Sequence, residues 1–189
     1  MMTKIDLTVC VTPQMVTDAQ GNEKKAFAGH IGTHFDVMNK TFPLDYTERE
    51  AVVFDISANG QGETQVADID LSLVGEGMFV AFHSGCIDRM GYGGKEYFTQ
   101  HPQLSMPLIQ SLIDRRIAII GVDFAGVRRG KEHTPTDQVC ADHGIFIVEN
   151  LCNLSAVLKG SSHARFKAYT FPVNFSGMTG LPCRVVAGV

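Results

Sequence analysis

Three apolar runs set the frame of the chain: MFVAFH (Met78 to His83), IAIIGVDF (Ile117 to Phe124) and GIFIVEN (Gly144 to Asn150). Each has the length and the β-branched or aromatic content of a strand buried on both faces, and each ends on polar residues. In TQHPQLSMPLIQSLIDRR, Ser105 precedes Met106-Pro107, and Leu108, Leu112 and Ile113 follow at helical spacing, which predicts a capped helix. PTDQVCADHG predicts a second, shorter helix with Pro135 near its first turn and Gly144 closing it. NLCNLSAVL predicts a third short helical segment. Near the start, KIDLTVCV alternates as a strand does, and TPQMVTDAQGNE, with Gly21-Asn22, reads as a turn-rich loop. The closing stretch ARFKAYTFPVNFSGMTGLPCRVVAGV alternates and turns like a hairpin that finishes in a core strand. The elements together predict a mixed α/β fold.

No repeat or low-complexity tract divides the chain, so residues 1–189 read as one domain, long enough to bury its own core. A net charge of −4 argues against a nucleic-acid partner, and the paired basics Lys24-Lys25, Arg115-Arg116 and Arg128-Arg129 read as solvated surface. Five cysteines without a C-x-x-C pair cannot close a complete disulfide framework, which fits a reducing, cytoplasmic setting. The N-terminal stretch lacks a sustained apolar core, so neither a signal peptide nor a membrane partner is expected.

Chemistry concentrates in GHIGTHFDVMNKTFP, Gly29 to Pro43. On a straight strand His30 and His34 would stand about 13 Å apart, too far to share an ion. A bend at Gly32, or one helical turn, would bring them to roughly 6 Å, and glycine permits the bend. His30, His34 and Asp36 would then form an N₂O donor set suited to Zn²⁺, with Mn²⁺ or Fe²⁺ as further candidates. Two hydrogen-bonded histidines beside a loop are the alternative, and spacing leaves both open. Asp123 and Glu149 each follow an apolar run, near where α/β folds place ligands, or are solvated strand ends.

HIGTHFD resembles the H-x-G-T-H-x-D signature of the cyclase family of metal-dependent hydrolases, which includes arylformamidase-like (kynurenine formamidase) and isatin hydrolase-like members. IAIIGVDFAG is similar to the family's G-x-D strand, DHGIFIVENLCNL to its G-x-x-I-x-E-x-L segment, and FPVNFSGMTGLPCRVVA to its closing segment. The resemblance implies a swivelling β/β/α-type sandwich with a mixed sheet around a metal pocket, in a homodimer or homotetramer. It implies that His30, His34 and Asp36 are metal ligands, with Asp36 able to bridge two ions, and that Glu149 is a ligand of the second. Zn²⁺ is the first expectation and Mn²⁺ the second.

Two positions depart from the family pattern. The proline and proton-transfer histidine that follow the signature are Met38 and Lys40 here, and a second-metal histidine is replaced by Asp137. Asp137 keeps a donor but shifts the set toward oxygen and a harder ion such as Mn²⁺ or Mg²⁺. Lys40 is a candidate to steady negative charge and protonate a leaving group, or simply pairs with Asp36, Asp45 or a surface acid. His83, His101, His133 and His143 are candidate substitutes for the missing imidazole, His133 and His143 lying in the segment that resembles the metal-bearing region, or are surface or hydrogen-bonded core histidines. MGYGGKE reads as a mobile loop to which a place over the pocket is open. The implied function is metal-dependent hydrolysis of a C–N bond in an aryl-formamide, amide or cyclic amide, a small-molecule substrate, with Lys40 and Glu149 as catalytic candidates. A metal-binding protein without catalysis is the alternative, and a thiol enzyme centred on Cys86 a third.

Overall fold

The computed structural model describes residues 2–21 and 29–189. Its strands are β1 (Lys4–Asp6), β2 (His34–Asp36), β3 (Glu48–Asp55), β4 (Glu63–Thr64), β5 (Phe79–His83), β6 (Gln103–Leu104), β7 (Ile119–Val122), β8 (Phe146–Glu149), β9 (His163–Pro172) and β10 (Gly180–Gly188). Its α-helices are α1 (Pro13–Ala19), α2 (Cys86–Met90), α3 (Lys95–Gln100), α4 (Met106–Asp114), α5 (His133–Asp142) and α6 (Leu154–Leu158).

β3, β5, β7 and β8 lie side by side and parallel. Antiparallel pairings then run from β8 to β2, β2 to β10, β10 to β9 and β9 back to β3, so the mixed sheet closes on itself. β1 and β2 share one edge of β10, with Asp6 opposite Val186 and His34 opposite Pro182. β4 and β6 form a separate short pair.

The parallel strands are apolar throughout because both faces are covered. Val52, Phe54, Val80, Phe82 and Ile120 pack toward the helices with Leu108 and Leu112 of α4. Their neighbours Val53, Phe79, Ala81, Ile119 and Val148 pack with Phe35, Ala168 and Val185, from the antiparallel side of the closed sheet. Period-two alternation between two buried environments reads in sequence as a continuous run. α4 starts where its cap predicts: the Ser105 side chain accepts a hydrogen bond from the Leu108 N–H at 3.3 Å.

Several expectations change. Pro13–Ala19 is a helix, not a turn-rich loop, because Thr12 caps it and Pro13 supplies the fixed φ of its first turn. The β3 strand, AVVFD at its end, is a buried strand that the three apolar runs did not include. Arg128 is buried, not solvated: its guanidinium holds Glu63 at 2.8 Å and the Leu104 carbonyl at 2.9 Å. MGYGGKE runs into α3 at Lys95, and Tyr92 within it is anchored to Gly32. Lys24 and Lys25 lie outside the described residues. No helix among the described residues is long and apolar enough to cross a membrane.

Candidate metal centre

β2 is three residues long, so His34 and Asp36 project from the same face. Its antiparallel register with β8 sets His34 directly opposite Glu149, which puts the Glu149 side chain on that face too. His30 joins them because the chain bends between the histidines. Gly32 has φ +66°, and the rings of His30 and His34 come to 4.8 Å between centroids. The bend expected at Gly32 is therefore present, in place of a helical turn. Gly29, at φ +79°, passes so close to β10 that a Cβ would collide with the Gly180 carbonyl.

α5 brings the remaining groups. His133 and Asp137 are one turn apart on the same helix face. His133 Nε2 lies 3.1 Å from Asp137 Oδ2 and 3.1 Å from Glu149 Oε1. Two sets of donors result, His30/His34/Asp36 and Asp36/His133/Asp137, each with ligand atoms within 4.8 Å of one another, and Asp36 belongs to both. Glu149 borders both sets, with Oε2 3.6 Å from His34 Nε2.

The electrostatics are unbalanced by protein groups alone. Asp36, Asp137 and Glu149 are buried carboxylates, and burying an unpaired charge costs several kcal/mol. Burial, then the Asp36 charge, pushes Glu149 well above the ordinary carboxylate range. Burial raises Asp137 to about 6, against the pull of His133. The contacts of Asp137 and Glu149 raise His133 to about 11. Asp36 moves the other way: burial pushes it up, but the His30 contact and the charges of His34 and His30 bring it down. His34 is lowered by burial.

Hydrogen bonding leaves the same gap. His30 Nε2, Asp36 Oδ2 and Asp137 Oδ1 are buried without a hydrogen-bond partner. His30 Nε2 is 3.0 Å from Asp36 Oδ1 but not in N–H···O alignment, and His34 Nε2 is 3.7 Å from that oxygen. Buried polar atoms are rarely left this way. Lone pairs aimed at common points, in a pocket with excess negative charge, fit divalent cations, and nitrogen with carboxylate oxygen is a donor set for Zn²⁺ or Mn²⁺.

The other expected residues lie as follows. Lys40 is not directed at the cluster: its Nζ is 2.6 Å from Asp142 Oδ1, and Asn39 accepts from Gln138 at 3.0 Å, so this loop is fastened to α5. The acid or charge-steadying role expected for Lys40 finds no support in that geometry, and pairing with a surface acid describes it. Asp123 is not a solvated strand end. It is buried and accepts hydrogen bonds from the Ser84 and Gly85 N–H groups and the Ser84 hydroxyl. Cys86 is buried against Met90, and burial, then the Asp123 charge, pushes its thiol up to about 11, while His83 pairs with Asp55; the thiol-centred reading has no activated nucleophile. All five cysteines are free. His133, expected at most as a substitute for the missing proton-transfer histidine, stands instead among the ligand atoms of the second set. Its signal was the four-residue spacing to Asp137 within a predicted helix.

The model of the Cyclase family matches residues 5–128, two thirds of the chain and the whole HIGTHFD stretch. The chain belongs to the Cyclase family. Solved structures share its fold from end to end. A potential metal-dependent hydrolase with cyclase activity is 21% identical, with 100% of this chain and 98% of that chain covered and a TM-score of 0.75. A predicted metal-dependent hydrolase from Bacillus stearothermophilus is 20% identical, with 100% and 98% covered and a TM-score of 0.72. Isatin hydrolase A from Labrenzia aggregata, bound to benzyl benzoate, is 18% identical, with 100% and 94% covered and a TM-score of 0.74. No curated protein matches the chain in sequence. The family match ends before His133, Asp137 and Glu149, so in this Cyclase family member it is the fold that brings those three side chains to the cluster.

Proposed function

We propose that this protein is a metal-dependent hydrolase of a carbon–nitrogen bond in an aryl-formamide, amide or cyclic amide, with two divalent cations in its centre. The observation that carries the reading is three buried carboxylates facing three imidazoles, with ligand atoms left unpartnered. The two donor sets, which share Asp36, provide for a pair of cations. His30, His34 and Asp36 would hold one cation, and Asp36, His133, Asp137 and Glu149 the other. The first set, rich in nitrogen, suits Zn²⁺; the second, rich in oxygen, suits Mn²⁺.

Bound there, the cations would supply Lewis acidity, polarising a carbonyl and lowering the pKa of water to about 7. The protein's own part is to fix the ligand atoms on short, paired strands and one helix face. Val37 and Met38, directly after Asp36, begin the wall of a concavity of about 740 Å³ that Phe42, Leu44, Phe171 and Met178 also line. Asn39, Lys40 and Thr41 share that wall, and its apolar part suits an aryl or cyclic group. Membership of the Cyclase family and the fold shared with isatin hydrolase A support the reaction class.

Turnover of N-formylkynurenine, isatin and simple lactams, with added Zn²⁺ or Mn²⁺, tests the reading alongside His34→Ala. Hydrolysis of at least one of these by the wild type and its loss in the variant is the expected result. The pairing of Lys40 with Asp142 favours a second reading, a cation-dependent binding protein without catalysis, and inertness across the panel with metal bound would select it.

A further inference from the structure

We propose that Asn150 is a positioning residue for His34: it holds the Gly32 carbonyl, and that carbonyl fixes the imidazole with its proton on Nδ1 and Nε2 free for a cation. This rests on the metal-binding reading and extends it to a residue outside the donor sets.

His34 Nδ1 lies 2.9 Å from the Gly32 carbonyl. A carbonyl only accepts, so Nδ1 carries the hydrogen and the neutral ring presents Nε2 bare toward Asp36 and Glu149. The same carbonyl accepts a second hydrogen bond, from Asn150 Nδ2 at 2.8 Å. That bond also settles which way the Asn150 amide faces, because its nitrogen must point to the carbonyl. Oδ1 then accepts from the Tyr97 hydroxyl at 2.7 Å, a fully buried phenol.

The backbone of the bend is clamped from the same side. Thr33 Oγ1 donates to the Asn150 carbonyl at 2.7 Å and accepts from the Val9 N–H at 2.9 Å. The Gly32 N–H donates to the Tyr92 hydroxyl at 2.8 Å. Asn150 sits at φ +59°, a left-handed conformation that asparagine tolerates better than most residues, immediately after Glu149. One side chain thus couples the end of β8, α3 and the bend that aims His34. A ligand imidazole generally gives its second N–H to a fixed acceptor, and loss of such support weakens metal binding about 10- to 100-fold.

Asn150→Gly keeps the left-handed backbone and removes the amide; Asn150→Asp keeps the shape but cannot donate to the carbonyl. Tyr97→Phe removes one hydroxyl and serves where the Asn150 variants fail to fold. Nitrogen-15 NMR of the metal-free imidazoles should find His34 in the single Nδ1–H tautomer in the wild type and in a tautomer mixture in the variants. Competition titration with Co²⁺ should find affinity lowered about 10- to 100-fold in the Asn150 variants, less in Tyr97→Phe, with an altered visible absorption spectrum. A purely structural asparagine would lower thermal stability and leave tautomer and spectrum unchanged, and that result overturns the proposal. Absence of Co²⁺ binding by the wild type would sink the metal reading instead, and the tautomer result would then decide the role of Asn150 by itself.

Discussion

His133 Nε2 stands 3.1 Å from Glu149 Oε1, joining the first turn of a helix to the last residue of a parallel strand. Neither residue reaches the other through sequence proximity; the closed sheet and the packing of α5 on β8 bring them together. With Asp137 and Asp36, His133 makes the second donor set, which Glu149 borders.

Metal stoichiometry should therefore respond to the two sets separately. Wild-type protein purified without chelator should carry two divalent ions per chain. His133→Ala should carry one, and elemental analysis by mass spectrometry reads the difference. Two ions retained in His133→Ala would remove His133 from the centre.

Removal of the ions should destabilise the fold, because three buried carboxylates then lose most of their counter-charge and keep the imidazole of His133 against them. A ligand at 100 times its Kd adds about 2.7 kcal/mol to a native state that alone binds it, roughly 5–10 °C in Tm for a chain of this size. A thermal scan with chelator should fall by that much, and Zn²⁺ or Mn²⁺ should restore it. Equal Tm values with and without chelator would contradict the charge argument.

Lys40→Met should be nearly silent. The Lys40 and Asp142 side chains are 37% and 49% exposed, and such pairs contribute less than about 1 kcal/mol. Metal content and kcat should stay within about twofold of wild type. A tenfold fall in kcat with both ions in place would return the lysine to the chemistry.

His101 should set an acid limb in stability. Its ring is buried, stacks on Phe124 at 5.6 Å, and donates from Nδ1 to the Pro102 carbonyl. Burial, opposed by that hydrogen bond and aided by the charges of Arg129 and His133, lowers its pKa from 6.5 to about 4. The unfolded chain takes up the proton first, so the contribution is complete above pH 6.5 and lost as pH falls toward 4. At about 1.36 kcal/mol per unit the loss is about 3 kcal/mol. Urea denaturation at pH 7 and pH 4 should find a smaller loss in His101→Gln than in the wild type.

Local sequence marked the strand runs, the capped α4, and the stretch from His30 to Asp36 in which Gly32 allows a bend, while leaving a helical turn open there. All of these depend on residues within a few positions of one another, where periodicity, caps and glycine act directly. It missed α1, whose short capped turn lacks a long apolar face, and β3, whose alternation was hidden by burial on both sides. Tertiary structure alone decided that Glu149 faces His34, since a strand's register with a partner more than a hundred residues away is not written locally. It also decided that His133 joins the acids while Lys40 turns to Asp142. Spacing along one helix puts His133 and Asp137 on a shared face, but only the packing of that helix against β8 says what the face meets.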